Sequence, residues 1–363
     1  MFLPFVDRFL KLVPPIKHYY FDHYADIRLR ICRVGQAFPL VKLPRYVHFL
    51  LTFDCNFNCK QCQVNACKRD VRQLSYTEVL KIIDDIKETG VRHLIFTGGE
   101  PLVRDDVFDI LRYANKVGIP RITLATNGYL VEKYQKELSE VRIDRVVTSI
   151  DDVGERNDAV RGKTGAFASS LKALEIFKKI GVKVREINTT VFPNNVSHIK
   201  DLAEHVVNSS ATNWVLGMLI PIGRASQLSA NNFVEAEILE LIDMVKKLRA
   251  SCPVELMSHT GYLKNHFQEV TSEPFFCRAG RECCAINPDG EVVPCNITSD
   301  IRFSQGNVRE KRFKSIWKEG FQEFRHPRYP EGCLSCKFLS ACGGGCWGCR
   351  VLNAQYCYKS FCS

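Results

Sequence analysis

The chain has 363 residues, 45% of them hydrophobic and 25% charged, with a formal net charge of +10. This is the composition of a folded protein with a sizeable core; it excludes a disordered chain, and no apolar run is long enough to span a bilayer. The anomaly is 17 cysteines, eleven of which fall within the last 87 residues, from Cys277 onward.

Residues 1–46 read as an N-terminal amphipathic cap. Phe2, Val6, Phe9, Leu10 and Val13 recur at helical spacing, and Pro14-Pro15 ends that helix. Asp7, Arg8 and Lys11 interrupt the apolar residues and no small-residue cleavage site follows, so the segment does not read as an export signal. A cytoplasmic location is therefore expected, where thiols stay reduced and clustered cysteines point to metal rather than disulfides. The cap is expected to pack on its own domain, and membrane association is not expected. Cys32, alone in this region, reads as a small buried apolar residue.

From Val47 to about residue 230, short apolar runs alternate with helical patterns. "VHFLLTF", "HLIFTGG", "RITLAT", "IDRVVTSID", "VKVREINTTVF" and "TNWVLGML" read as six strands. Between them, "SYTEVLKIIDDIKETG", "DDVFDILRYANKVG", "YLVEKYQKELSE", "AFASSLKALEIFKKIG" and "NVSHIKDLAEHVV" read as helices, the first capped by Ser75 or Thr77 and stopped at Gly90. Strands alternating with helices argue for parallel pairing through right-handed crossovers, hence a partial (β/α)6 TIM-like barrel. Polar signals fall in register just after the strands, on the rim where parallel barrels gather their binding groups. They are a cysteine loop, then Gly98-Gly99-Glu100-Pro101, Asn127-Gly128, Ser149 with Asp151, and Gly223-Arg224.

The cysteine loop, "LTFDCNFNCKQC", places Cys55, Cys59 and Cys62 four and then three residues apart. Three thiolates so close leave one over as disulfide partners, and they do not complete a tetrahedral zinc site. They do fit three corners of an iron–sulfur cube whose fourth iron stays open to a small molecule. This loop resembles that of radical S-adenosylmethionine (SAM) enzymes, in which SAM chelates the open iron. The resemblance extends to the family's "GGEP", met here by Gly98, Gly99, Glu100 and Pro101. Two glycines would let backbone approach a ligand, and the carboxylate would accept the SAM ammonium. By the same resemblance Ser149 and Asp151 imply a contact to the ribose, Asn127 one to ribose or adenine, and Arg161 one to the SAM carboxylate. One departure stands out: Gln61, before the third cysteine, replaces the usual aromatic or His.

Residues 231–276, with the amphipathic "NNFVEAEILELIDMVKKLRAS", read as a bridging helix into a second domain at 277–363. There Asp289-Gly290 signals a hairpin that would return Cys295 toward Cys277 and Cys283. After it, "GNVREKRFKSIWKEGFQEFR" reads as a turn and a helix with Phe313, Ile316 and Trp317 inward, and "CLSCKFLSACGGGC" supplies four more cysteines. The pattern resembles the SPASM extension of the radical SAM family; zinc is the alternative metal, since CxxC pairs also mark zinc ribbons. The resemblance implies two auxiliary four-iron clusters. One would be held by Cys277, Cys283, Cys295 and Cys346. The other would take Cys333, Cys336, Cys342 and a last ligand, Cys362 ahead of Cys357 or Cys349. Cys67, Cys252, Cys284 and Cys349 have no ligand role in this scheme, although Cys284 is a candidate hydrogen-atom donor.

Three loaded clusters would bring the net charge to about +5, and the basic residues are dispersed, so no dedicated nucleic-acid groove is expected. The resemblance implies reductive cleavage of SAM to a 5′-deoxyadenosyl radical that abstracts hydrogen from an unactivated C–H. The auxiliary clusters favour a net two-electron oxidation, by dehydrogenation or cross-link, of a peptide or small natural product. Expected partners are that substrate and a flavodoxin- or ferredoxin-type electron donor. A redox-neutral epimerase is the alternative, and a non-catalytic zinc or iron–sulfur nucleic-acid-binding protein a distant one. Asn296 stands where the sulfatase-maturing branch has an Asp base, which disfavours that branch.

Overall fold

A computed structural model describes residues 43–228, 233–257, 263, 266–271, 277–352 and 357. Residues 1–42 of the N-terminal cap, with Cys32, and Cys362 lie outside the described residues; Tyr46, read as the end of the cap, opens β1 instead.

Six strands alternate with helices as the pattern predicts. They are β1 (Tyr46–Thr52), β2 (His93–Gly98), β3 (Arg121–Ala125), β4 (Arg145–Ser149), β5 (Val184–Val191) and β6 (Asn213–Met218). The helices between them are α1 (Tyr76–Glu88), α2 (Val107–Lys116), α3 (Gln135–Ser139), α4 (Gly154–Arg161), α5 (Ala166–Lys179) and α6 (Ile199–Val207). All six strands pair in parallel, in sequence order. The sheet does not close on itself, so the architecture is an open, partial barrel.

The alternation of side chains explains which face is covered. Val47, Phe49 and Leu51 of β1 point outward into one core with Val79, Ile83 and Ile86 of α1. That helix starts with a capping box, Ser75 with Glu78, and gives way to Gly90 in the left-handed region, φ +83°. A second core joins Ile187 and Val191 of β5 and Trp214 and Leu216 of β6 to α6. The opposite, concave face carries Tyr46, His48, His93, Arg145 and Asn188, none of them wholly buried. An open concave face behind a sealed convex one is the arrangement of a barrel that receives a ligand inside.

Two additions extend the sheet. Helix α7 (Glu235–Leu248) packs Ile238, Leu241, Ile242 and Val245 into the second core, and β7 (Val254–Leu256) pairs in parallel beyond β6. The stretch read as a bridge thus contributes a strand to the barrel sheet. At the other edge, β8 (Cys283–Ile286) runs parallel to β1, and β9 (Val292–Val293) folds back antiparallel to β8. The Asp289-Gly290 turn lies between them, with Gly290 at φ +90° and a hypothetical Cβ there 2.6 Å from Asn307 Oδ1. The helix after it, α8 (Phe313–Glu319), buries Phe313, Ile316 and Trp317 in the core shared with α1.

Two local readings change. The expected long helix "YLVEKYQKELSE" shrinks to α3, because the chain turns through residues 129–134 after Gly128. Helix α4, not expected, forms before the left-handed Gly162. No helix among the described residues is long and apolar enough to cross a membrane.

Candidate functional site

The loop after β1 is held from three sides, mostly by backbone. At the end of β2, Gly99 N–H donates to Thr52 O at 2.7 Å and Glu100 N–H to Asp54 O at 2.8 Å. A Cβ on Gly98 would lie 2.3 Å from Thr52 O, and one on Gly99 would lie 2.2 Å from Asp54 O. These glycines admit the close approach of the cysteine loop itself. From α4, Val160 O accepts from Lys60 N–H at 2.9 Å, and Gly162 sits where a Cβ would meet Asn58 O at 2.4 Å. After β6, Arg224 N–H donates to Cys62 O at 3.0 Å, while its guanidinium reaches Cys59 O and Ala66 O, both at 2.7 Å. A Cβ on Gly223 would meet Cys62 O and Gln63 O at 2.5 Å.

Held this way, Cys55, Cys59 and Cys62 gather with Phe57 and Ala166 in one small cluster. Phe57 N–H points at Cys55 Sγ (3.4 Å) and Ala66 N–H at Cys62 Sγ (3.4 Å), two donors suited to thiolates. Burial pushes Cys55 up to about 12 and also raises Cys59. Among the described residues no three His, Cys, Asp or Glu side chains converge on a single-ion site. Cys67 Sγ lies against the Cys55 backbone, 3.1 Å from its N and 3.2 Å from its O.

Beside the triad stands a buried ion pair. Asp151, 1% exposed, accepts from Arg161 Nη1 at 3.2 Å, from Thr190 N–H at 2.7 Å, and from the Gln61 amide. Burial would lower the Arg161 pKa, but Cys59 and Asp151 outweigh it and hold the guanidinium charged. Its planar face also lies 5.9 Å from the Phe57 ring centroid. Gln61, the departure from the family pattern, is therefore tied into the same network. Arg161 Nε, Gln61 Oε1, Asn188 Oδ1 and Asn56 Nδ2 are buried with no partner. Spare donors and acceptors next to three thiols fit a zwitterionic, adenine-bearing ligand such as SAM.

Other rim residues are already engaged. Glu100 is wholly buried and accepts from Leu102 N–H (3.1 Å), Thr126 Oγ1 (2.8 Å) and Asn127 N–H (2.7 Å); burial raises its pKa despite them. Its Oε2 carries one of those donors and keeps a lone pair. Asn127 donates to Asn56 Oδ1 at 2.7 Å and accepts from Tyr129 N–H at 3.0 Å, so it links the cysteine loop to β3. Pro101 opens the short turn that follows β2. Ser149 closes β4 on the concave face, beside Asn188.

The C-terminal cysteines divide in two. Cys277, Cys283, Cys295 and Cys346 come together: Cys277 and Cys346 share a hydrogen bond, and Cys283 lies close to Cys295 and Cys277. Trp347 N–H points at Cys277 Sγ, 3.5 Å away. Cys349 sits beside Cys346, buried with Ile220. Cys333, Cys336 and Cys342 lie on two short turns, Glu331–Leu334 and Leu339–Cys342 and the link between them, all half-buried. Cys357 is exposed. Cys284 is wholly buried in the outer core, on the face of β8 opposite Cys283, and so does not reach the concave face.

Sequence reasoning placed Arg224 on the rim but gave it no role. Its partners are backbone carbonyls 165 and 158 residues away, which leave no local pattern. The concave-face residues His48 and His93 also went unmentioned. Burial lowers both to about 4, so they are neutral at pH 7.

Comparisons with known proteins agree with this geometry. A model of the Radical SAM superfamily matches residues 49–206, and one of an iron-sulfur cluster-binding domain (SPASM) matches residues 277–337. The AdoMet-dependent heme synthase of Oleidesulfovibrio alaskensis is 32% identical over 322 residues, covering 83% of this chain and 82% of that protein. The mycofactocin maturase MftC of Mycolicibacterium smegmatis is 29% identical over 327 residues, covering 84% and 78%. In fold, the crystal structure of Streptococcus suis SuiB bound to S-adenosylmethionine superposes with a TM-score of 0.70 at 19% identity, over 89% of this chain and 78% of that one.

Proposed function

Because the chain belongs to the radical SAM superfamily and carries its SPASM iron–sulfur domain, we propose that it oxidises an unactivated C–H of its substrate by two electrons, through dehydrogenation or a cross-link. The protein is an enzyme that uses [4Fe-4S] clusters and SAM. A cluster held by Cys55, Cys59 and Cys62 would supply the electron for reductive cleavage of SAM, and SAM so cleaved would supply the 5′-deoxyadenosyl radical for hydrogen abstraction.

What the chain itself does follows from the site. Cys55, Cys59 and Cys62 would hold the open cluster, and the three-sided clamp would fix their spacing. Arg161, kept charged by Asp151, would meet the SAM carboxylate, and the free lone pair of Glu100 Oε2 would accept from its ammonium. Asn127 would act through Asn56, and Ser149 with Asp151 would meet the ribose, beside Asn188. Cys277, Cys283, Cys295 and Cys346 would hold one auxiliary cluster; Cys333, Cys336 and Cys342 would begin the second, with Cys362 as its last ligand. The single observation that carries the reading is the clamped triad beside unpartnered buried polar atoms.

Net oxidation is favoured over epimerisation because Cys284, the thiol considered as hydrogen donor, lies in the outer core. Asn296, directly after Cys295, offers no base, which argues against sulfatase maturation. The maturase relative supports a peptide substrate. The heme synthase relative supports a second class, a porphyrin-like small molecule, for the same chemistry. A flavodoxin- or ferredoxin-type protein would supply the electron.

The test is anaerobic reconstitution. About twelve irons per chain are expected, from three clusters of roughly four. Replacing Cys55, Cys59 and Cys62 together by Ala should abolish 5′-deoxyadenosine formation under dithionite while about eight irons remain. Undiminished 5′-deoxyadenosine would put the site elsewhere. With candidate substrates in deuterated buffer, a product lighter by about two mass units marks oxidation, and solvent deuterium in the product marks epimerisation.

A further inference from the structure

The start of β1 touches the auxiliary cysteines. Tyr46 is the register partner of Cys283 on β8. The backbones are pinned at that point, since Arg45 N–H and Tyr46 N–H both donate to Glu282 O, at 2.7 and 3.4 Å. Register partners on neighbouring parallel strands point to the same face, so phenol and thiol stand side by side on the concave one. The Tyr46 hydroxyl lies near the Cys283 sulfur, within reach of it. Its ring is held by His48, 5.5 Å away edge-on, and by His93 at 6.3 Å, whose Nε2 is tied to Thr123 Oγ1 at 2.7 Å. Nothing in the SAM site uses this tyrosine.

We propose that Tyr46 is a positioning residue that raises the reduction potential of the auxiliary cluster held by Cys283, through an O–H···S hydrogen bond to that ligand. The inference rests on the assignment of Cys277, Cys283, Cys295 and Cys346 to one cluster. Reduction adds negative charge to the cluster and its sulfurs, and a donor aimed at a sulfur stabilises that charge. A higher potential makes the cluster a better one-electron acceptor, which is the task an oxidative enzyme sets it. The hydroxyl does this without being a ligand, and a phenylalanine would fill its place without doing it.

The experiment uses reconstituted full-length protein in which Cys55, Cys59 and Cys62 are Ala, so that only auxiliary clusters report. EPR-monitored redox titration of this protein is compared with the same protein carrying Tyr46→Phe. One of the two auxiliary signals should move to more negative potential while the other stays, and an exchangeable deuteron coupled to the reduced cluster in D2O should vanish. Unchanged potentials with the coupling unchanged at full iron content would overturn the proposal. Should Tyr46→Phe lose iron, the deuteron coupling in the parent decides alone, its presence supporting the hydrogen bond and its absence refuting it. A Cys283→Ser variant with undiminished iron and both signals intact would instead overturn the ligand assignment beneath it.

Discussion

Cys55, Cys59 and Cys62 lie in one loop and are positioned by backbone from the ends of β2 and β6 and from α4. Cys277, Cys283, Cys295 and Cys346 are spread over the C-terminal domain and meet because β8 and β9 fold back beside β1. The first group lies within one short loop braced by its neighbours, whereas the second is gathered from separate stretches by the β8–β9 hairpin and the later segment that carries Cys346. The first group should therefore be sensitive to the fit of neighbouring loops, and changes to those loops should spare the second.

Arg161→Ala presses that contrast hardest. It leaves Asp151 charged and buried, a loss of about 3 to 5 kcal/mol in such settings. Urea unfolding should show the loss, and iron analysis should show the open-site iron falling while auxiliary iron stays. Equal loss from both would erase the distinction. Gly99→Ala comes next, because its Cβ would press on Asp54 O at 2.2 Å. About 2 to 3 kcal/mol is expected for such overpacking, with the same selective iron loss. Arg224→Ala strips Cys59 O and Ala66 O of their donor and should cost about 1 to 3 kcal/mol. Its 5′-deoxyadenosine yield should drop with the open-site iron content.

The smallest effect belongs to one of the ties between the regions. Glu78 of α1 bonds Arg309 of the C-terminal domain at 2.8 Å. That bond, with a second from Ser75 N–H, lowers the carboxyl from its ordinary 4.5 to about 2. A depressed carboxyl stabilises the fold fully above pH 4.5, and the contribution fades as pH falls toward 2. The pair is partly solvated, so Glu78→Gln should cost about 1 kcal/mol or less at pH 7. Unfolding curves should show the gap to wild type narrowing below about pH 4.5, and a constant gap would mean the ion pair is not its source.

Much of this was legible in the sequence, for identifiable reasons. The triad and Gly98–Pro101 are runs of adjacent residues, and the six strands carry a period that local chemistry imposes. The hairpin at Gly290 was readable because a left-handed turn needs such a residue there. What escaped was set by distant backbone. Arg224 reads as a rim cation until its carbonyl partners are seen. Gly98 and Gly99 were recognised as glycines, but their reason is the neighbouring strand end, which no spacing reveals. β7 is three residues long, too short for any period to show, and it exists because β6 offers an open edge.

β1 carries the cysteine loop at one end and Tyr46 against Cys283 at the other, the two ends of a strand of seven residues, about 20 Å of rigid chain. Slipping that strand by a single residue would turn Tyr46 outward and displace the loop in the same stroke. The two cysteine groups therefore share one reading frame. Mutational drift can redecorate the interior between them, at positions such as His48, but it cannot alter their separation without losing both.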